Sequence, residues 1–207
     1  MRKVLFMTGL ASLLAGLCGC SSEPRAELLR KPEGKILIVC YSESPNQNTM
    51  TAAKWIRQQV GGDICVIKMV TPYSDSYRKV LKESKHHLDN DIKPEILPLD
   101  KNVADYDVIF VGSPVWYGTF APPLGTFFSK YDLSGKTVIP FCTHGGGGAG
   151  HLFEDVAKAA PKSKVLPGLT LKGSNVVERT IGRGTRNKAS VNEVVRWLNQ
   201  IIPAIAR

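Results

Sequence analysis

Polar side chains crowd one short stretch near the start of the chain. Within eight positions this stretch carries Ser42, Ser44, Asn46, Asn48 and Thr49. It follows an apolar run and precedes an amphipathic pattern, so it leads from a strand into a helix. Unpaired amides at a helix amino terminus, joined by hydroxyl and amide donors, can bind a phosphate dianion. Capping by Asn48 or Thr49 is the simpler alternative, but five polar side chains exceed what a cap needs, so we favour a phosphate loop.

A second stretch places large aromatic rings between a proline and a glycine. It contains Pro114, Val115, Trp116, Tyr117 and Gly118, and it comes soon after the apolar run 107–111. Aromatic faces stack on flat heterocycles and gain about 0.5–1.5 kcal/mol beyond their burial. The alternative is that Trp116 belongs to the core and covers the end of the sheet. Its place beyond the carboxyl end of a strand favours stacking on a ligand.

A third stretch offers open backbone. Thr143, His144, Gly145, Gly146 and Gly147 follow the apolar run 137–141 closely. Because glycine has no Cβ, the backbone amides of such a run can approach the edge of a ring. Three roles stay open for His144: a proton donor, a contact over the ring, or a solvated loop histidine.

The same glycines formally match a dinucleotide-binding fingerprint at Gly145, Gly147 and Gly150. That fingerprint normally follows the first strand of a βαβ unit, with an acidic residue at the end of the next strand. Here it follows the fourth predicted strand, and the next strand ends near Lys172. We therefore favour the ring-edge interpretation over a second phosphate site.

The elements that must position these stretches alternate between strands and helices. The predicted strands are 35–40, 64–70, 107–111, 137–141 and 166–171, with a short extra strand around Ile96, and the predicted helices are 49–60, 75–87, 122–130, 151–160 and 190–202. This alternation predicts an α/β fold with helices on both faces of a parallel sheet. Ligands of such sheets lie beyond the carboxyl ends of the strands, where the strand order reverses. The three stretches therefore indicate one planar ring with a phosphate tail.

Composition limits the classes of protein that fit. The chain has 207 residues, of which 43% are hydrophobic, so we expect one core and one domain. The formal net charge is +9, and positive charge can hold a domain against anionic lipid with about 1 kcal/mol per well-placed cation. No basic stripe interleaved with aromatic residues stands out, which argues against a nucleic-acid partner. No spacing of Cys, His and carboxylates resembles a metal site.

The first 20 residues predict export and lipidation. Arg2 and Lys3 precede the apolar run 4–17, which is too short to span a membrane as an ordinary helix. The run ends in a sequence similar to a bacterial lipoprotein processing box, with Gly19 before Cys20. We predict a signal peptide over 1–20, lipidation of Cys20, a polar tether over 21–34 that spans about 20 Å, and a folded domain over 35–203. A plain secretory signal is the alternative.

Three cysteines remain after the predicted cleavage: Cys40, Cys65 and Cys142. An odd number in or beside apolar strands indicates buried, unreactive thiols. A disulfide between Cys40 and Cys65 on neighbouring strands stays open. His86 and His87 lie at a predicted helix end, where the helix dipole explains them better than a metal does.

Several motifs, in this order along the chain, resemble the flavodoxin-like family. They are Tyr41-Ser42-x-Ser44 with Asn48-Thr49, Thr71-Pro72-Tyr73, Pro94-Glu95, Tyr106-Asp107, Gly112-Ser113-Pro114-Val115-Trp116, Gly135-Lys136, and Thr143 with its glycines. The resemblance spans about residues 35–202 and is closest to flavodoxin-like bacterial lipoproteins and small FMN-dependent reductases. It implies a three-layer sandwich with a five-stranded parallel sheet in the order 2-1-3-4-5, and a noncovalently bound FMN.

The resemblance also implies roles for individual residues. Ser42, Ser44, Asn48 and Thr49 would hold the FMN phosphate. Residues 114–118 would form the stacking loop, and residues 143–147 would meet the pyrimidine edge of the flavin. Gln47 stands where glycine is usual in the phosphate loop.

We therefore expect a membrane-tethered FMN redox protein that exchanges electrons with a small molecule, such as a quinone or NAD(P)H, or with a protein. A flavin-free binding module, which would use the cleft at Trp116 for another ligand or a protein, is the alternative. A third hypothesis is an oxidoreductase that binds only a dinucleotide, at residues 145–150. The sequence predicts no oligomeric state.

Overall fold

The computed structural model of this chain describes residues 27–74, 76–176 and 186–205, without the side chains of residues 175 and 186–190. The predicted signal peptide, Cys20 and residues 21–26 of the predicted tether lie outside the described residues. None of the helices in residues 27–74, 76–176 and 186–205 combines the length and the hydrophobicity that a membrane span requires.

Strands and helices alternate as the sequence predicts. The strands are β1 (Ile36–Cys40), β2 (Asp63–Val66), β3 (Val108–Trp116), β4 (Thr119–Phe120), β5 (Thr137–His144), β6 (Lys164–Val165) and β7 (Leu169–Lys172). The helices are α1 (Asn48–Val60), α2 (Tyr77–Asp89), α3 (Pro122–Lys130), α4 (Leu152–Ala159), α5 (Gly173–Val176) and α6 (Arg186–Ile205), and a 3-10 turn covers Val103–Asp105. All five predicted helices are confirmed, α3 with the predicted bounds.

The strand order reverses beside the first strand. β1 pairs in parallel with β2 on one side and with β3 on the other. β3 then pairs in parallel with β5, and β5 with both β6 and β7. Among the described strands only β4 is antiparallel, as a short hairpin strand against the end of β3. Because β6 and β7 together take the place of the predicted fifth strand, the predicted order 2-1-3-4-5 is confirmed.

The sequence predicts one fifth strand over 166–171, but the structure has two short strands there. β6 ends at Val165, before the predicted range, and β7 begins at Leu169, so residues 166–168 lie outside both strands. Proline has no N–H to donate to a ladder, so it interrupts the strand. A Cβ on Gly168 would lie 2.3 Å from the ring of Phe153, so the glycine lets α4 pack closely against the interruption.

Two central strands run further than predicted. Residues 112–116 and 142–144, which the sequence analysis placed in loops, are the ends of β3 and β5. The two strands stay paired up to Pro114 and Thr143. On the other side, β1 pairs with β3 only as far as Gly112. Pro114 therefore lies beyond that ladder, where its missing N–H costs no hydrogen bond.

The second strand is shorter than predicted, because β2 ends at Val66 instead of residue 70. Beyond it, Met69 forms an isolated antiparallel bridge with Ile96. The extra strand predicted around Ile96 is thus a single bridge.

Apolar side chains from alternate strand positions build one core on each face of the sheet. Ile38, Phe110 and Phe141 point to the face covered by α1 and α6. Leu37 and Ile109 point to the other face, which α3 and α4 cover. This alternation follows from the two-residue period of a strand. It confirms the prediction of helices on both faces.

The three described cysteines are buried and free. Val39 is the residue opposite Cys65, so Cys40 and Cys65 point to opposite faces of the sheet. A disulfide between them is therefore excluded by geometry. Burial raises the pKa of the Cys40 and Cys65 thiols to about 12 and that of Cys142 to about 11. The predicted burial of the three thiols is confirmed, and the raised pKa values disfavour the reactive thiolate form.

Candidate functional site

The first loop turns sharply into α1 at Gln47. This residue precedes the helix with φ 49° and ψ 41°, a left-handed conformation. Glycine adopts that conformation without strain, which explains why glycine is usual at this position. In this chain the side chain of Gln47 donates from Nε2 to the carbonyl of Ser44 at 3.1 Å, and this bond helps to hold the turn.

Two serine hydroxyls cap the start of α1. Ser42 Oγ accepts from the N–H of Met50 at 3.3 Å, and Ser44 Oγ accepts from the N–H of Asn48 at 3.5 Å. Asn48 and Thr49 lie inside the helix, so the alternative in which one of them caps it is wrong. These are the two serines predicted to bind a phosphate. Their hydroxyls therefore lie at the helix amides that would also bind the phosphate.

The first and third loops meet through a buried hydroxyl pair. Thr49 Oγ1 and Thr143 Oγ1 lie 2.9 Å apart although 94 positions separate them in the chain. Both side chains are buried. The start of α1 and the end of β5 are thus joined at the carboxyl edge of the sheet.

Trp116 lies at the same edge and is half-buried. Its ring packs edge-on against Tyr41, with centroids 5.8 Å apart, and against Tyr73, at 5.5 Å. The tryptophan is therefore held by other aromatic rings and is not sunk in the core. Tyr41 and Tyr73 were not among the predicted site residues, although Tyr41 directly follows β1 and Tyr73 belongs to a motif of the resemblance.

A carboxylate lies beside this aromatic cluster. Tyr41 donates from its hydroxyl to Glu43 Oε2 at 2.9 Å. Burial first, and then the charge of Glu43, raise the pKa of Tyr41 far above its ordinary value. Tyr41 therefore stays protonated and keeps Glu43 as its acceptor.

Tyr117 follows Trp116 in a left-handed turn, with φ 52°. Its hydroxyl donates to the carbonyl of Leu81 at 2.8 Å, and the Nζ of Lys85 lies 5.6 Å from its ring centroid. The stacking loop is thus attached to α2. No local sequence signal indicates this contact, because the two residues are 36 positions apart.

Gly118 and Gly150 bring the second and third loops together. The N–H of His151 donates to the carbonyl of Gly118 at 2.8 Å. A Cβ on Gly150 would lie 2.2 Å from that carbonyl oxygen, and Gly150 has φ +60°. Gly150 therefore serves close packing between two loops, which explains it without a dinucleotide.

The glycine loop itself presents open backbone. A Cβ placed on Gly145, Gly146 or Gly147 would meet no atom of the described residues within 4 Å. His144 holds the loop, because its Nδ1 accepts from the N–H of Gly148 at 3.0 Å. Because Nδ1 accepts this bond, a neutral imidazole carries its proton on Nε2.

One buried side-chain oxygen lacks a hydrogen-bond partner among the described residues, as expected where a ligand would bind. This atom is Asn48 Oδ1. Burying such an atom unpaired costs about 1–3 kcal/mol, and a half-turn of the amide would put a donor in its place. The orphaned amide and the open glycine backbone therefore suit a bound group that carries a phosphate and a ring edge.

Two further predictions concern histidines and metals. His86 and His87 lie in the last turn of α2, as predicted for helix-dipole partners. His87 Nδ1 also lies 2.9 Å from the Tyr73 hydroxyl, so this histidine supports the aromatic cluster. Within the described ranges, no group of three or more His, Cys, Asp or Glu side chains could hold a metal ion.

Comparisons with known proteins agree with this architecture. A model of the flavodoxin family matches residues 35–183. No curated protein matches the chain significantly. Among solved structures, a proposed flavoprotein from Bacteroides eggerthii is 26% identical, with a TM-score of 0.65 over 82% of this chain and 98% of that one. A flavoprotein from Lactobacillus acidophilus in complex with FMN is 24% identical, with a TM-score of 0.58 over 71% of this chain and 98% of that one.

The matched region contains most of the chain and all three loops of the site. The sheet order, the helices on both faces and the converging loops are the features that the resemblance in the sequence implied. The chain belongs to the flavodoxin family.

Proposed function

We propose that this protein binds FMN noncovalently at the carboxyl edge of its sheet and acts as a redox protein. The observation that carries the proposal is the contact between Thr49 and Thr143, which joins the phosphate loop to the glycine loop. Trp116 lies at the same edge of the sheet, at the end of β3. Membership of the flavodoxin family and the FMN complex of the Lactobacillus acidophilus flavoprotein support it.

The phosphate would lie over the start of α1. Backbone amides there attract an anion through the helix dipole. Ser42 and Ser44 now accept from two of these amides, and a hydroxyl that rotates can donate to a phosphate oxygen instead. Asn48 adds a side-chain amide. No arginine or lysine lies in residues 41–49, so neutral donors would satisfy the charge.

The ring would lie between the aromatic cluster and the glycine loop. Trp116, fixed edge-on by Tyr41 and Tyr73, and the more exposed Tyr117 offer aromatic surface for stacking. The backbone of residues 145–147 offers amides and carbonyls to the polar edge of the ring. When bound, FMN supplies one- or two-electron chemistry, and the protein supplies position and electrostatics.

Replacing two hydroxyl donors tests this proposal. Ser44→Ala with Thr49→Ala is expected to raise the FMN dissociation constant at least about tenfold, because hydrogen bonds to a charged group contribute about 1.5–3 kcal/mol each. Ser134→Ala with Ser163→Ala removes two hydroxyls at the opposite edge and serves as the control. Quenching of flavin fluorescence on titration into the purified protein measures the affinity.

Two results would contradict the proposal. One is a protein that shows no flavin absorbance after reconstitution and no FMN-dependent rise in melting temperature. The other is equal FMN affinity in the parent and the Ser44→Ala, Thr49→Ala variant.

The flavin-free binding module is the second candidate. The observation in its favour is that Ser42 and Ser44 already cap α1 within the chain, so the loop is satisfied without a phosphate. The same FMN titration separates the two functions.

The proposal extends to the membrane and to the electron partners. Lipidation of Cys20 would tether the domain at a bacterial membrane surface, on the outer side of the membrane that exports it. A quinone, NAD(P)H or a redox protein could then exchange electrons at the exposed side of the flavin.

A further inference from the structure

An exposed apolar patch with a basic border lies on α2, beside the stacking loop. Tyr77, Leu81 and Tyr117 are 77%, 37% and 47% exposed. The hydrogen bond from Tyr117 to the carbonyl of Leu81 makes helix and loop one continuous surface. We call this surface the α2 rim, and it consists of Tyr77, Arg78, Leu81, Lys82, Lys85 and Tyr117.

The α2 rim holds an unusual share of exposed apolar side chains. Three of the seven large hydrophobic side chains that are exposed in the described residues belong to it. Ser84 is the one residue that α2 buries, so most of the helix faces outward. Contiguous apolar surface on a soluble domain usually marks an interaction site. Tyrosine and arginine are also among the residues enriched at the centres of protein interfaces.

Charge on the rim favours an acidic partner. α2 carries four cations, Arg78, Lys79, Lys82 and Lys85, against two acids, Glu83 and Asp89. Glu83 is half-buried and accepts from the N–H of Ser74, and Asp89 pairs with Lys85. Arg78 and Lys82 are exposed and form no ion pair within the described ranges. Complementary charge steers the encounter of two proteins and fixes their orientation.

The described start of the chain lies far from this surface. Glu27 and Leu29 are hydrogen-bonded to Asn199 near the end of α6. The end of α6 lies at the amino edge of the sheet, since Lys164, the first residue of β6, donates to the carbonyl of Ala204. Trp116 ends β3 at the opposite edge, about 26 Å along the strand from Val108.

The distance between the described start of the chain and the α2 rim favours a protein over a lipid as the partner of the rim. Between the proposed lipid on Cys20 and Glu27 the chain can extend about 25 Å at most. A lipid anchor would therefore hold the amino edge of the sheet near the bilayer and leave the α2 rim on the side away from it. This orientation favours a soluble protein over the headgroups of the anchoring membrane as the partner of the rim.

We propose that the α2 rim is the docking surface for an acidic electron-transfer protein, and this rests on the proposed FMN function. Tyr117 belongs both to the rim and to the stacking loop, so a protein seated on the rim would lie next to the ring. Each encounter passes one electron from the one-electron centre of the partner. Two encounters, with two protons from solvent, convert FMN to FMNH₂ and leave two oxidised partner molecules.

Charge reversal on the rim tests the proposal. The probe is a plant-type [2Fe–2S] ferredoxin, a small acidic one-electron carrier. Arg78→Glu with Lys82→Glu is expected to weaken ferredoxin binding to the purified protein at least tenfold at low salt. The same variant is expected to slow flavin reduction by reduced ferredoxin to a similar extent, with FMN affinity unchanged. Lys54→Glu with Lys162→Glu makes the same change in net charge on other exposed surfaces and is expected to change both quantities less than twofold.

Ferredoxin binding is measured with and without FMN. This comparison separates the proposed FMN function from the proposed docking surface. A protein that binds no FMN but binds ferredoxin through the rim contradicts the proposed function and keeps the docking surface. Absence of ferredoxin binding at low salt, or equal weakening by both double variants, overturns the docking surface. So does loss of binding to phosphatidylglycerol vesicles in Arg78→Glu, Lys82→Glu with ferredoxin binding intact, since the rim would then be a lipid surface.

Discussion

Gly112 and Gly145 meet different demands at neighbouring places in the fold. Gly112 lies in β3 under the ring of Phe141, and an added Cβ would be 2.1 Å from that ring. Gly145 lies in the loop after β5, where an added Cβ would meet nothing within 4 Å among the described residues. The first glycine serves packing of the core, and the second leaves room at the proposed flavin edge.

Alanine at the two positions is therefore expected to act on different quantities. Gly112→Ala overpacks the core and is expected to lower the free energy of unfolding by about 1–3 kcal/mol. Gly145→Ala is expected to change that free energy by less than about 0.5 kcal/mol, while raising the FMN dissociation constant. Urea denaturation and FMN titration measure the two effects. A Gly112→Ala protein as stable as the parent would show that the core accommodates the methyl group.

At the scale of elements, the carboxylate of one residue in α4 links this helix to β4 by a hydrogen bond. Asp155 Oδ2 accepts from Thr119 Oγ1 at 2.6 Å, and it also lies against His151 Nδ1. Burial by itself would raise the pKa of Asp155, but the hydrogen bonds from Thr119 and His151 outweigh it and leave the pKa lowered. The ionised carboxylate thus helps to hold the segment that follows the stacking loop.

Because the pKa of Asp155 is lowered, the stability that its hydrogen bonds contribute depends on pH in a defined direction. A group with a depressed folded pKa stabilises the fold above its unfolded pKa of about 3.9 and loses this contribution as the pH falls through the folded value. Asp155→Asn is expected to cost about 1 kcal/mol near pH 6 and clearly less near pH 3. Urea denaturation at both values measures this. Glu154→Gln, on the exposed side of α4, is the control. A constant cost for Asp155→Asn at both pH values would count against the carboxylate's charge as the cause.

At the scale of the whole molecule, the site and the described start of the chain lie at opposite edges of one sheet. The hydrophobic cores on the two faces both pack against the same strands. The length of these strands therefore sets the distance between the site and the described start of the chain. A lipid at Cys20 would then orient the domain as well as retain it. Asn199 donates to the carbonyl of Glu27 and accepts from the N–H of Leu29, and these bonds shorten the part of the predicted tether that is free to extend.

Lipidation at Cys20 is tested by replacing it. Expressed in a bacterium with its signal, the parent is expected to partition into the detergent phase of a Triton X-114 extraction. Cys20→Ala is expected to lose the added lipid mass and this partitioning, because the sulfur is the attachment point. Cys18→Ala is the control and is expected to behave as the parent does. Equal partitioning of the parent and Cys20→Ala would exclude this anchor.

Much of the fold could be predicted because its signals are local. Apolar runs and amphipathic patterns fixed the type and order of the main elements, and polar or glycine-rich stretches marked the three loops. One error came where a partner outside the local pattern decides, because pairing with β5 extends β3 through Pro114. The other had a local signal, since Pro167 lies inside the strand predicted from hydropathy and has no N–H to donate to a ladder.

From the sequence alone came the α/β class, the strand order through the family resemblance, and the residues that we propose to face one ligand. Only the tertiary structure decided that Thr49 touches Thr143, that Cys40 and Cys65 point to opposite faces, and that Tyr117 is attached to α2. The physical reason is that hydrophobic periodicity acts over a few residues. Contacts between segments depend on the register and twist of strands that are far apart in the chain.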